Sequence, residues 1–570
     1  MRRVRGLFII NEKDKYFHKY YMNIIREKFI NKNNDVLVNI RKKETISEAY
    51  AMLFDLVIKF NKNSLLEKII RRFEEIRQVS LRNNIVCPYH IDLSGKDIVI
   101  SNMGNSQHSL WCSSMYLKYY TLTFNEKYKK IAEDIFESVL SSKYGKTAYI
   151  INWINSPNYP VKNKNNIFSI KMLTNAELFI IFGKEDLLKK QLELVRKMYN
   201  LKRGIYFSYY DLEKNIGFSN KSDIVDNFEL AEGLLNCYWI TKDNFYLDMV
   251  KKIVENCGRI VLRDNYILGF LQYYRFLQIF DRKIPKLIRI RYNNIGHKLK
   301  KEGVIESFEG FGDNNIFSHI YYLRTLIPKN IVVFGDSHSG IFRRIKNSGY
   351  NIICHSISGA SLTGLPKRES KLMIKDKIIN FINVNSFDKI FLKFGQVDID
   401  LGYYYKRVVK NLNINFDDYI IELIQNYEDF LNTIIDRIDK KKVVIWGINP
   451  PTLIKQEDCL KYTERIIFEN INDVSEREHY IEKLRNDILS LRERTEISKK
   501  FNKELEIFCN RKNILFVDTF KKFLNSDGVI NSAFIDKNIN DHHIRGIINA
   551  SEEFKMTTDI FYNEIMKIKE

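Results

Sequence analysis

The sequence predicts a multidomain chain: an all-α helical array in the N-terminal half, then an α/β domain with a parallel five-stranded sheet. Three observations predict it. Segments with helical apolar spacing recur in pairs through residues 81–280. From residue 331 onward, short β-branched runs alternate with helical patterns, which implies crossover connections and a parallel sheet. Composition changes between these two patterns just before Pro328-Lys329-Asn330. The expected organisation is a helical region over 1–80, a helical array over 81–280, a connector over 281–328 and an α/β domain over 329–570.

Bulk properties narrow the class. A chain of 570 residues calls for two or three domains. With 45% hydrophobic and 13% aromatic residues, it has the material for sizeable cores. No apolar run reaches eighteen residues, so no transmembrane helix is expected. The N-terminal Met1-Arg2-Arg3-Val4-Arg5-Gly6-Leu7-Phe8-Ile9-Ile10 is basic and then apolar, but stops at Asn11, too soon for a signal-peptide core. Seven scattered cysteines without a CxxC pair suggest reduced thiols and a cytoplasmic location. The net charge of +21 permits attraction to nucleic acid, anionic lipid or acidic polysaccharide. Its lysines and arginines are spread over helical patterns as solvated faces. No RNP, zinc-finger or helix-turn-helix signature accompanies them, so no specific nucleic-acid partner is expected and a glycan is preferred.

In the first 80 residues, Glu44–Phe54 and Leu65–Phe73 carry apolar residues three and four apart and read as helices. Helical pairs then begin near Ser109-Leu110-Trp111, Ile170-Lys171-Met172 and Asp226-Asn227-Phe228, about sixty residues apart. Their second members begin near Phe124, Gly183 and Lys242, and extended pieces such as Gly204–Tyr210 join the pairs. A recurrence of this length suggests a stacked or closed array of helix pairs. His108, Trp111, Asn155 and Glu232 are candidates to line a sugar-binding concavity, against core packing or loop capping as the commoner role. Pro285 and the glycine-punctuated Glu306–Asp313 mark the connector.

In the C-terminal half, the strand candidates are Ile331–Phe334, Ile352–Ser356, Lys389–Phe394, Lys442–Trp446 and Ile514–Val517. Active residues of a parallel sheet collect beyond the carboxyl ends of its strands. The first strand runs into Gly335-Asp336-Ser337-His338-Ser339 at a helix start, where free backbone N–H groups and the helix dipole favour an oxyanion. Asp336 and Ser337 also suit plain helix capping. The second strand leads to Gly359, the third to Gly395-Gln396-Val397-Asp398, and the last to Asp536 and then Asn540-Asp541-His542-His543. Adjacent positions in Asp541-His542-His543 converge poorly on one ion and no HExxH spacing is present, so no metal is expected. No other cofactor is signalled.

These four blocks, in this order, resemble the SGNH (GDSL-like) hydrolase superfamily over residues 331–570. The resemblance implies Ser337 as nucleophile, Gly359 as the glycine block and the Asp-His-His run as the final Asp-x-x-His block. It departs from the pattern at Val397, where the family has an oxyanion asparagine; Gln396 is the nearest amide. It departs again at Asn540, three before His543. His543 is therefore the expected base and Asp541 its expected orienting partner, with Asp536 and Asn540 as alternatives. Asp336 and Gln396 join Gly359 as expected oxyanion or binding residues. The helical half faintly resembles the (α/α) toroid domains of carbohydrate-active proteins.

A serine hydroxyl needs a base within reach, histidine can take and return the proton, and a carboxylate fixes its tautomer. The acyl-serine would go to water in an esterase or to a sugar hydroxyl in an O-acetyltransferase. The resemblance implies a carbohydrate O-acyl esterase or O-acetyltransferase acting on a surface polysaccharide or its precursor. Acetyl-CoA or another acyl donor would partner the transferase. Two alternatives stand beside it: a non-catalytic glycan-binding or scaffold protein with a degenerate site, and a glycan epimerase, lyase or glycosidase in the helical half with an accessory SGNH domain.

Overall fold

Two kinds of helix build the N-terminal half. In α3 (Ser106–Thr123) and α7 (Asp223–Thr241) nearly every residue of the first three turns is buried. In α4 (Glu126–Ser141) and α8 (Asn244–Arg263) only a stripe is buried, such as Ile131, Ile135, Phe136 and Val139 of α4. A helix buried all round belongs inside, and a striped one belongs outside. The packing follows suit. The inner elements are α1 (Ser47–Lys59), α3, the 3₁₀ helix Ile170–Asn175 with α5 (Glu177–Ile181), α7, α9 (Ile267–Ile279) and α11 (Ile316–Thr325). Each packs on the next, and α11 returns to α1, closing a ring. The outer helices α2 (Asn63–Arg82), α4, α6 (Glu185–Lys197), α8 and α10 (Lys286–Glu302) lie against their inner neighbours.

The computed structural model describes the chain except residues 1–22, 24, 38–42, 60–62, 96, 101–102, 156–165, 220–222, 264–265, 281–283, 303–315, 326–328, 346–349, 368–371, 386, 536–540, 548–553 and 569–570. It divides into two compact units, Met1–Pro328 and Lys329–Glu570. Short strands run directly into the inner elements: Glu44–Ile46 into α1, Met103–Asn105 into α3 and Ile167–Ser169 into the 3₁₀ helix. Asn105 and Ser169 then cap them, accepting from His108 N at 3.1 Å and Lys171 N at 3.3 Å. At Gly233, α7 touches the 3₁₀ helix so closely that a Cβ would lie 1.8 Å from the Leu173 carbonyl oxygen.

Two expectations change here. The helices of residues 47–82 belong to the ring rather than to a separate region. Residues 286–302 and 316–325, expected within a connector, form α10 and the ring-closing α11. Pro285 does not interrupt a helix: it precedes Lys286, where a missing N–H costs nothing, and its carbonyl accepts from Arg289 N at 3.1 Å. The segment Glu306–Asp313 lies outside the described residues.

The C-terminal unit is built on a parallel five-stranded sheet in the order β2-β1-β3-β4-β5, with β1 Lys329–Gly335, β2 Tyr350–Ser356, β3 Lys389–Lys393, β4 Val443–Trp446 and β5 Leu515–Val517. The register sets Gly335 beside both Ser356 and Lys393, so three strands end level. Helices α12 (Ile374–Val384), α13 (Phe416–Ile435), α14 (Gln456–Ile467), α15 (Val474–Asp487), α16 (Leu491–Lys512) and α17 (Lys555–Ile568) complete it. Under the sheet, Phe342, Phe391, Trp446 and Phe561 form one aromatic cluster that anchors the 3₁₀ turn after β1.

Candidate active site

The end of β1 delivers Ser337 into the first position of a 3₁₀ helix, Ser337–Arg344. His543 arrives from the far end of the unit. Its Nε2 lies 2.6 Å from Ser337 Oγ, and its Nδ1 hydrogen-bonds Asp541 Oδ1, which also accepts from His543 N at 3.0 Å. These contacts assign the tautomer: Nδ1–H donates to the carboxylate, and Nε2 accepts from the serine. Thr452 Oγ1 donates to the Asp541 carbonyl at 3.1 Å and holds that turn. Burial pushes the Asp541 carboxyl up, but the His543 hydrogen bond and the neighbouring imidazoles outweigh it and bring it down to about 2. Asp541 is thus an ionised partner for the imidazole. Asp536 and Asn540, the alternatives, lie outside the described residues.

The other expected residues divide. Asp336 is fully buried and turned inward: Oδ1 accepts from His338 N at 3.0 Å and Oδ2 from Gln396 N at 3.2 Å. It ties the serine turn to the loop after β3. Gly359 stands exposed in a turn with φ +70, a left-handed conformation that favours glycine. Its loop is held by Asp398, whose carboxylate accepts from Leu362 N at 2.7 Å, Thr363 N at 3.3 Å and Thr363 Oγ1 at 3.1 Å. Burial nevertheless raises the Asp398 carboxyl to about 6.

Gln396 corrects an expectation. Its Nε2 donates to Asp400 Oδ2 at 3.1 Å and to the Asn449 carbonyl at 3.2 Å, while its Oε1 accepts from Asn449 N at 2.7 Å. Both amide hydrogens are used in joining the loops after β3 and β4, so none remains for an oxyanion. Val397 has no side-chain donor to take its place.

Two histidines of the sequence blocks, His338 and His542, and two residues that gave no signal of their own, Lys393 and Asp400, surround the serine turn. The His338 ring stacks on His543 with centroids 4.2 Å apart, and its Nε2 lies 3.1 Å from the His542 carbonyl. His542 Nδ1 pairs with Asp400 Oδ2 at 3.1 Å, and Tyr462 of α14 packs 4.8 Å from its ring. Lys393 is buried: its Nζ donates to the Gly447 carbonyl at 2.6 Å and to Asn449 Oδ1 at 3.3 Å, and burial pulls it down to about 8. Ligand atoms of His338, His542 and His543 lie within 4.8 Å of one another, a spacing a metal ion accepts. The third imidazole comes from far along the chain, which the Asp-His-His spacing could not indicate. Yet both His543 nitrogens are engaged, and its stacking on His338 sets their in-plane lone pairs side by side rather than converging.

In the helical unit, the four candidates part company. Glu232 is held by two guanidiniums, Arg275 at 2.7 Å and Arg324 at 2.6 Å, and Trp111 is buried beneath Arg324. The side chain of Asn155 lies outside those described. His108 belongs to a polar cluster: its Nε2 lies 3.2 Å from Glu48 Oε2, which also accepts from Gln107 Nε2 at 3.2 Å. Near them, Lys171 Nζ lies 3.7 Å from Glu229 Oε2 and 3.8 Å from Asp226 Oδ1, and Tyr321 donates to Glu229 Oε1.

No family model and no curated protein matches the sequence. Among solved structures, the chain is similar to a sugar epimerase from a ruminal bacterium, at 13% identity and TM-score 0.43, over 56% of this chain and 98% of that one. It is also similar to an alpha-amylase from Clostridium perfringens, at 12% identity and TM-score 0.42, over 54% and 96%. A candidate acylhydrolase from Bacteroides fragilis is similar at 13% identity and TM-score 0.25, over 42% and 87%.

Proposed function

We propose that the C-terminal unit is a serine O-acyl esterase or O-acetyltransferase whose substrate is an acylated carbohydrate. One observation carries the chemistry: the hydrogen-bonded line from Ser337 through His543 to Asp541. His543 takes the Ser337 proton as Oγ attacks the ester carbonyl, and returns it to the leaving alkoxide. Asp541 fixes the Nδ1–H tautomer and stabilises the imidazolium that forms. The Ser337 and Gly359 N–H groups are the proposed oxyanion donors, in place of the side-chain amide that Val397 lacks. Water or a sugar hydroxyl then resolves the acyl-serine, with His543 as base in either case. The carbohydrate part of this reading rests on the sequence resemblance. Treatment of the purified protein with a fluorophosphonate probe tests the reading. Labelling at Ser337, lost in His543→Ala, is the expected result. Absence of labelling in folded protein sinks it and favours a binding module.

A second reading places a glycan-transforming enzyme in the helical unit. The observation that favours it is the buried polar cluster built from the first turns of the ring's inner elements.

A further inference from the structure

Lysine is almost never fully buried unless it is paired, because its ammonium gives up a strong hydration shell. Lys393 breaks that rule. It is the last residue of β3, the middle strand of the sheet, and is 1% exposed. Residues two apart on a strand share a face, so Lys393 continues the face of Phe391, a member of the aromatic cluster. A large apolar side chain would suit that position. The ammonium instead donates to two neutral oxygens, the Gly447 carbonyl at 2.6 Å and Asn449 Oδ1 at 3.3 Å. Among the described residues, no carboxylate touches it. The Phe561 ring of α17 lies 5.9 Å from Nζ.

Asp336 is the matching irregularity. It is wholly buried, and its oxygens are held by the backbone N–H groups of His338 and Gln396. Among the described residues, no lysine or arginine touches it; the nearest ring nitrogen is His338 Nδ1 at 3.4 Å. The two buried charges come from adjoining strand ends. Gly335 stands level with Lys393, and Asp336 N donates to the Lys393 carbonyl at 3.1 Å. Away from water, opposite charges attract across more than contact distance. Burial pushes the Asp336 carboxyl up, and Lys393 is the largest influence against that push. Burial pulls the Lys393 ammonium down, and Asp336 is the largest influence against that pull, ahead of Asp518. Asp518, after β5, already accepts from Phe520 N at 2.8 Å and Asn502 Nδ2 at 3.2 Å. The other titratable groups facing Asp336 are His542, His543 and Tyr427 of α13. Burial keeps Tyr427 protonated.

We propose that Lys393 is a positioning residue for Ser337: its ammonium is the counter-charge that keeps Asp336 ionised as the cap of the serine turn. This rests on the serine esterase or transferase reading above and adds a control on that same site. Ser337 is the first residue of the 3₁₀ helix that Asp336 caps, so the cap sets where Oγ stands relative to His543. An Asp336 carboxylate beside a neutral Lys393 is a buried anion without a cation. It then takes up a proton or draws water into the turn, and either weakens the cap. Serine–histidine chemistry alone reaches a plateau on the alkaline side, because the base needs only to be unprotonated. Loss of the Lys393 proton, which burial brings to about 8, adds a fall beyond that plateau.

The test is the rate constant for fluorophosphonate labelling of Ser337 in the full chain, from about pH 6 to about pH 10. Mass spectrometry reads the labelled peptide, Ser337→Ala is the blank, and thermal melting at each pH shows that the chain is folded. In the parent, the rate should fall about five- to tenfold on one limb centred at about 8, the size of one lost helix cap. Lys393→Arg keeps its charge throughout this range and should hold the plateau to about pH 10. Lys393→Met should label at the parent's high-pH rate at every pH above the acid limb. Where one variant fails to fold, the other and the parent's own profile decide. A parent plateau that runs to about pH 10, or a limb that persists in either variant, overturns the proposal and leaves the serine reading standing. No labelling of folded parent at any pH removes that reading and the proposal together.

Discussion

Replacing Asp541 by asparagine keeps the shape of the turn and removes one charge. In the structure, Asp541 Oδ1 receives both the backbone N–H and the Nδ1–H of His543. The carboxyl is held at about 2 against an ordinary 3.8. A shift of that size is about 2.5 kcal/mol of preference for the charged carboxylate beside these imidazoles. The side chain is 18% exposed, so solvent screening trims the figure to about 2 kcal/mol. That preference is what an imidazolium loses when the carboxylate becomes an amide, so ester turnover should fall at least about 30-fold. If the amide NH₂ turns toward His543 and imposes the other tautomer, Nε2 carries the proton and cannot accept from Ser337. The fall then approaches about 10⁴-fold. The assay is hydrolysis of a short-chain aryl ester by parent and Asp541→Asn, with thermal melting to show that both are folded. Turnover within threefold of the parent would refute the relay, whatever the geometry.

The remaining predictions concern what surrounds that relay and the ring. Burial raises the Asp398 carboxyl above its unfolded value, so its contribution to stability is present below about 3.8 and is lost as pH rises through about 6. Asp398→Asn should therefore gain up to about 3 kcal/mol on the parent between pH 4 and pH 7 in denaturant titrations, and a pH-independent difference contradicts this. Gln396→Ala strands Asn449 N and its carbonyl, and should cost about 2–4 kcal/mol of stability. At a temperature where it remains folded, aryl-ester turnover should stay within about tenfold, whereas a fall of 10³-fold would return Gln396 to the oxyanion site. Gly233→Ala drives a methyl into the Leu173 carbonyl and should lower helical-unit stability by more than about 3 kcal/mol, read by melting.

How much was legible depended on whether the signal was local. The run Ile331–Phe334 followed by Gly-Asp-Ser is local, and it marked both β1 and the serine turn. Strand positions in the C-terminal unit could likewise be read from β-branched runs bounded by turns. The ring-closing α11 could not, because its preceding segment is rich in glycine and acid and Pro285 read as a break, although proline is at home just before a helix. The role of Gln396 was hidden because its partner, Asn449, lies on the next strand's loop. The cluster of Glu48, Lys171, Asp226 and Glu229 was missed for the same reason: its members come from three separate elements, α1, the 3₁₀ helix and α7. The available signal was the position, a charged residue in the first turn of a helix otherwise buried on all sides. Amphipathic outer helices give no such exception, because their charges already have water.

The imidazole stacked under His543 makes physical sense only if it is neutral. A charged His338 at 4.2 Å would oppose the imidazolium that must form when Ser337 gives up its proton. Burial, with His542 and His543 adding to it, holds His338 well below the usual histidine range, so the ring stays uncharged near neutral pH. Two carboxylates stand on this side of the turn instead. Asp541 touches it directly, and Asp400, paired to His542, adds a second carboxylate one residue away. His338 then serves as a flat neutral wall, with its Nε2 anchored on the His542 carbonyl and its backbone N–H on Asp336. The adjacent histidines at 542 and 543 therefore have different places in the proposed relay. One would carry the proton, while the other fastens the turn from which it projects.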